Sequence, residues 1–97
     1  MAAKPVTLGP LHFKKKEDAA NHLRSMLRKY DVGDKVSAAD AEVLHAALTL
    51  HPDAVAKIGS GITHFSVRSA DFGTKCFWVN RVDGGSEKFS YKSCIYG

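Results

Sequence analysis

No run of apolar residues in this 97-residue chain approaches the roughly 20 needed to cross a bilayer, which excludes a helical membrane span. The opening Met1-Ala-Ala-Lys-Pro5 has no apolar core of a secretory signal and is too short for an organelle address. Cysteine is scarce. Cys76 and Cys94 lack the close-pair spacing of zinc sites and are too few for a disulfide scaffold. Free thiols and a cytoplasmic location are the expectation. The histidines, His12, His22, His45, His51 and His64, are scattered, so neither a metal nor another cofactor is expected. Three ligands would arise only if the fold brought both thiols to His64. Two buried cysteines packing as small hydrophobes are the simpler reading.

Catalytic patterns are missing too. No motif places a nucleophile beside a base, and no paired acids or paired histidines of a nuclease are recognisable. His51 with Asp83 as an orienting acid would be a proton-transfer pair. A helix-terminal His51 that satisfies free carbonyls is the more economical reading. No internal repeat or low-complexity segment appears.

What is present describes one domain over residues 1–97, long enough to bury roughly 65% of its unfolded surface without staples. The formal charge of +4 is unevenly spread. Residues 1–16 hold Lys4 and the run Lys14-Lys-Lys16 with no acid, and residues 17–56 set four cations against seven acids. Residues 57–97 set six cations against three acids. Basic ends around an acidic middle suit a partner that is a polyanion, although +4 is also an ordinary solubility charge.

Hydrophobic period assigns the elements. Val6–Leu8 is short and extended, Gly9-Pro10 halts it, and Leu11–Phe13 resumes it. From about Lys16, Ala19, Ala20, Leu23, Met26, Leu27 and Tyr30 recur at helical spacing, with Glu17 and Asp18 at the positive helix end. Ser37 is the N-cap of a second helix with Val43, Leu44, Ala47 and Leu48 on its face, and His51-Pro52 ends it. Asp53–Lys57 adds one helical turn.

Beyond Gly59-Ser-Gly61 the period becomes two. Thr63, Phe65 and Val67 share one strand face, and Ile62, His64, Ser66 and Arg68 the other. Ala70–Gly73 turns the chain into a strand over Thr74–Val82. Asp83-Gly-Gly85 signals a hairpin. A three-residue loop with Gly85 left-handed would pair Arg81 with Glu87 and Val79 with Phe89. The last strand runs from Glu87 to Ile95, with Phe77, Phe89 and Tyr91 on the apolar face and Cys76, Trp78, Ser90, Lys92 and Cys94 opposite. The expected fold is α+β, with two or three helices on one face of a small three- to four-stranded antiparallel sheet, in the order β-α-α-β-β-β. Val6–Leu8 or Leu11–Phe13 would be the fourth strand.

Two candidate sites follow. Trp78 flanked by His64, Arg68 and Lys92 has the composition of a single-strand nucleic-acid platform, aromatic under bases and cationic along the backbone. Lys57, Lys75 and Arg81 are added as phosphate contacts. The competing reading buries Trp78 under a helix or the N-terminal segment, as most tryptophans are largely buried. In Lys57-Ile-Gly59-Ser60-Gly61-Ile62, two glycines let a phosphate approach backbone N–H groups. Its spacing is not that of a Walker loop, and a tight turn into the strand explains the same glycines.

Phe13-Lys-Lys-Lys-Glu, Leu27-Arg-Lys-Tyr30, His51-Pro52, Lys57–Ile62, Cys76-Phe77, Arg81 with Asp83-Gly84, and Phe89–Ile95 occur in an order and spacing that, together, resemble a known family. It is the small domain first named for the plant "defective chloroplasts and leaves" protein. The family also includes C-terminal domains of plant-specific RNA polymerase largest subunits and bacterial and phage proteins. The resemblance implies a fold and a context of ribosomal RNA maturation and RNA polymerase function, without an established activity. The expectation is therefore a non-catalytic, monomeric module that binds nucleic acid, RNA in particular, with no membrane partner. The alternative is a protein-interaction adaptor on a transcription or ribosome-maturation assembly.

Overall fold

Gly9, at φ +61, lets the chain reverse in two residues, so that β1 (Val6–Leu8) pairs antiparallel with β2 (Leu11–Phe13). The computed structural model describes residues 5–69 and 73–96. This hairpin is a sheet of its own and buries Val6 and Leu8 in the core. It therefore does not supply the expected fourth strand of the main sheet.

Helix α1 (Lys16–Lys29) buries Ala19, Ala20, Leu23 and Met26, and its last turn carries Arg28 and Lys29 at the negative end of the dipole. Leu27 and Tyr30 pack against the core without being fully covered. Ser37 caps α2 (Ala38–Thr49), its hydroxyl accepting from Asp40 N–H at 3.3 Å. The Asp40 carboxylate does not complete a capping box. It accepts instead from the Tyr30 hydroxyl at 2.6 Å and pairs with Lys29, tying the two helices. His51 donates its backbone N–H to Leu48 O at 3.0 Å, and its Nδ1 accepts from Asp53 N–H at 2.9 Å. The short α3 (Ala54–Ile58) follows.

The main sheet is antiparallel in the order β3 (Ile62–Ser69), β4 (Lys75–Arg81), β5 (Ser86–Phe89). Phe65, Val67, Phe77, Val79 and Phe89 line one face and join the helical core. The α+β class and the helix-covered sheet match the sequence reading. Apart from Gly73, the Ala70–Gly73 turn lies outside the described residues.

Four details differ. First, Ile62 pairs with Arg81 and His64 with Asn80, so Thr63 is a bulge, and Ile62 turns toward the core. Second, Val79 pairs with Glu87 and Phe77 with Phe89, two residues from the expected register. Gly84, at φ +89, takes the left-handed position, and Arg81 N–H closes the turn on Gly85 O at 2.8 Å. A shift of two preserves every face. Third, the link between α1 and α2 runs antiparallel along the free edge of β3, which it meets in an isolated bridge and not as a fourth strand. Gly33 N–H donates to Val67 O, Val67 N–H to Asp34 O and Val36 N–H to Phe65 O, and Lys35 bridges Ser66.

Fourth, β5 stops at Phe89, and Tyr91–Tyr96 is a helix, α4, where a strand to Ile95 was expected. Residues 89, 91 and 95 have strand parity. Tyr91, Cys94 and Ile95 also have the i, i+3, i+4 spacing of a helix, and the helix buries Cys94 and Ile95. The element order is thus β-β-α-α-α-β-β-β-α among the described residues. None of these helices is long and apolar enough to cross a membrane.

Candidate nucleic-acid interface

The sheet face turned away from the helices carries His64, Ser66 and Arg68 from β3, Cys76, Trp78 and Asn80 from β4, and Ser86 and Lys88 from β5. No strand residue on this face is an acid. Pairing sets Lys35, Ser66, Trp78 and Lys88 in one row, across the three strands and the isolated bridge that Lys35 makes to β3. At about 4.8 Å per strand, the two lysine backbones stand roughly 14 Å apart with the indole between them.

Arg68 starts one row away and reaches over the indole, its guanidinium carbon 5.2 Å from the Trp78 ring centroid. Such a cation–π contact contributes about 0.5–2 kcal/mol. Its Nη2 donates to Asn80 Oδ1 at 2.7 Å and its Nη1 to Ser86 Oγ at 3.4 Å. Asn80 is held in turn: Nδ2 donates to Ser66 Oγ at 3.0 Å and to His64 O at 3.3 Å. Asn80 and Ser66 are both buried. Among the described residues, Arg68 meets no carboxylate. Trp78 is half-buried, under Arg68 and not under a helix, and its Nε1 is covered with no acceptor among the described residues.

The other expected contacts are placed differently. Arg81 and Lys57 lie on the helix side. Arg81 Nη1 donates to Glu87 Oε2 at 2.9 Å and to Lys57 O at 3.2 Å, and Lys57 Nζ meets Glu87 Oε1 at 3.1 Å. The clamp joins α3 to the β4–β5 hairpin, and its two cations are mostly buried. A Cβ at Gly59 would stand 2.9 Å from Arg81 Cδ, and one at Gly85 2.8 Å from Arg81 Nη2. These glycines make room for a guanidinium.

Gly59 N–H donates to Val55 O and Gly61 N–H to Ile58 O, each closing the end of α3. The Gly59-Ser60-Gly61 segment is therefore a helix-terminating turn whose two glycine N–H groups are already engaged. Lys75 also faces the helices: its Nζ donates to Tyr30 O at 2.7 Å, occupying a carbonyl at the end of α1. Lys92 is exposed on α4, beyond the end of β5, because the expected strand there is a helix. The sheet face thus keeps His64, Arg68 and Trp78 of the residues expected on it.

Lys35, Lys88 and Asn80 were not legible as site residues. Lys88 falls opposite Trp78 only in the observed hairpin register, and Lys35 lies in a link between helices that carries no strand signal.

The cysteines separate in role. Cys76 donates its S–H to Phe89 O at 3.1 Å, and burial raises its thiol above the ordinary range. Cys94 is buried in α4, where burial pushes its thiol up to about 12. Both are free, and no group of three metal-ligating side chains stands together among the described residues. Asp83 accepts from Gly85 N–H at 2.8 Å in the hairpin turn, so its role there is to shape the turn.

One prediction follows from the clamp. The bond from Lys57, and then that from Arg81, hold the Glu87 carboxyl below the usual range. A lowered folded-state value contributes stability that is full above the ordinary glutamate range. That stability is lost as pH falls through the lowered value. Arg81→Ala is expected to cost about 1–2 kcal/mol, since Glu87 is half-exposed, and to flatten this acid dependence in thermal melts between about pH 3 and pH 7. An unchanged melting temperature and acid dependence in this variant would mean that the clamp does not hold α3 to the hairpin.

A sequence model of the family described as "Protein of unknown function (DUF3223)" matches residues 24–95. The chain is 34% identical over 86 residues to "DNA-directed RNA polymerase IV subunit 1" of Arabidopsis thaliana, covering 88% of this chain and 6% of that protein. It is 36% identical over 72 residues to "Protein DCL, chloroplastic" of Solanum lycopersicum, covering 71% of this chain and 32% of that protein. The chain thus spans under a third of either relative. A solution NMR structure of an uncharacterised protein from Rhodospirillum rubrum is 49% identical and superposes with a TM-score of 0.89, over 98% of this chain and 92% of the other.

Proposed function

From the premise that the chain is a DCL-like domain and belongs to the DUF3223 family of proteins of unknown function, we propose that it is a non-catalytic module that binds single-stranded nucleic acid, RNA in particular. The observation that carries this reading is the cross-strand row Lys35–Ser66–Trp78–Lys88 beneath an arginine that meets only neutral oxygens among the described residues. The indole and the guanidinium offer flat surfaces to bases, and the outer lysines lie where a backbone crossing the strands carries its phosphates. The occurrence of a similar segment in a polymerase subunit supports an RNA-handling context. Two free thiols support a cytoplasmic location, and the reading takes the module as a monomer.

The test is the fluorescence of Trp78, the chain's one tryptophan, during titration with a short single-stranded RNA at low and moderate salt. Quenching that weakens steeply as salt rises is expected, because phosphate contacts release counterions. A silent titration would overturn the reading. A protein-interaction adaptor would then take its place, for which the exposed Val55 on α3 and Val82 in the hairpin turn offer apolar surface.

A further inference from the structure

We propose that Arg68 reads an unpaired guanine, its guanidinium donating in the base plane to O6 and N7 while Trp78 supports it from below. The inference rests on the nucleic-acid reading of this face and narrows it to one base. A phosphate is satisfied by a point charge of no set orientation, and a lysine ammonium such as that of Lys35 or Lys88 is one. Arg68 differs because its orientation is fixed from beneath. Its Nη2 is bonded to Asn80 Oδ1, and the Asn80 amide cannot turn over, because its Nδ2 faces the His64 carbonyl oxygen and the Ser66 hydroxyl. Burial of Asn80 and Ser66 keeps water from competing for these bonds.

An arginine has five N–H donors in a rigid fork and accepts nothing. Two donors are engaged, by Asn80 and Ser86, leaving three with no partner among the described residues. A fixed fork selects a ligand edge with two adjacent acceptors. Guanine presents O6 and N7 side by side, whereas adenine puts an amino donor beside N7, which opposes a second donor. Unstacked bases of single strands expose these edges. The ring beneath adds a preference for a cation held over it, so the guanidinium keeps its position when a base docks against its edge.

The experiment measures affinity of the whole chain, by anisotropy, for end-labelled uridine oligonucleotides in which the central residue is uridine, guanosine, 7-deazaguanosine, adenosine or cytidine. Guanosine is expected to tighten binding about 5- to 150-fold over uridine, the discrimination of one bidentate pair. Removing N7 should lose most of that gain. Arg68→Lys keeps the charge but not the fork, so the ratio between guanosine and uridine probes should fall to near one. Equal affinities for all probes with a steep salt dependence would overturn the guanine assignment and leave the nucleic-acid reading standing. A preference for cytidine, or a guanosine preference that survives Arg68→Lys, would also overturn it. Binding to none of the probes would overturn both.

Discussion

Phe77→Ala is expected to remove about 3–5 kcal/mol of folding stability, the range for truncating a buried phenylalanine. Phe77 is fully buried at the centre of β4, with its ring stacked 6.1 Å from that of Phe89 on β5. Phe89 in turn meets Phe65 edge-on at 5.9 Å, so one ring on each strand ties the sheet to the helices. Truncation deletes the contact with Phe89 and leaves a cavity that rigid strands on both sides cannot close. Small domains have only about 5–15 kcal/mol in total. A urea melt should therefore show a much lower midpoint with little change in slope. A loss under 1 kcal/mol would mean that α1 collapses onto the site and that the core is looser than its burial implies.

Its sequence neighbour should behave in the opposite way. Trp78→Leu is expected to change stability by about 1 kcal/mol, because the ring is half-buried on the face without helices. The same change should weaken single-stranded RNA binding by about 5- to 150-fold, as stacking contributes about 1–3 kcal/mol per base. Part of the loss comes through Arg68, which would no longer have an aromatic ring beneath it. Anisotropy of labelled RNA measures the effect without depending on the tryptophan signal. Unchanged affinity with an intact fold would remove Trp78 from the interface. The contrast between residues 77 and 78 is a direct consequence of strand geometry, in which successive side chains leave on opposite faces.

Alternation in β3 and β4 was enough to put Phe65, Val67, Phe77 and Val79 on one face and Arg68 with Trp78 on the other. That parity survived a two-residue error in the hairpin register, since the error was even. Thr63 marks where parity reading fails: a bulge inserts one residue, and Ile62 changes sides. The last segment failed for a different reason. Phe89, Tyr91 and Ile95 fit a strand, while Tyr91, Cys94 and Ile95 fit a helix, and six residues are too few for period alone to decide. Lys92 was misplaced with it.

The sequence shows how charge is spread along the chain but not which cations face a ligand. Lys57, Lys75 and Arg81 have the same character in sequence as Arg68. Three of the four point into the helix side, where they meet Glu87, the Lys57 carbonyl and the Tyr30 carbonyl. Whether a cation serves the fold or a ligand depends on which carboxylates and carbonyls stand within about 3 Å. Except for Glu87, six residues from Arg81, those partners come from segments 24 to 45 residues distant.

The sequence by itself determined the class of fold, the helical face of α1 and α2, the strand faces and the family, because period and motif order are local properties of the chain. Tertiary structure decided the rest. It laid the link at residues 33–36 along the edge of β3, and so brought Lys35 into line with Trp78 and Lys88. It also laid Arg68 across the indole and locked it to Asn80. Long-range backbone pairing fixes which side chains become neighbours, and a binding surface consists of such neighbours.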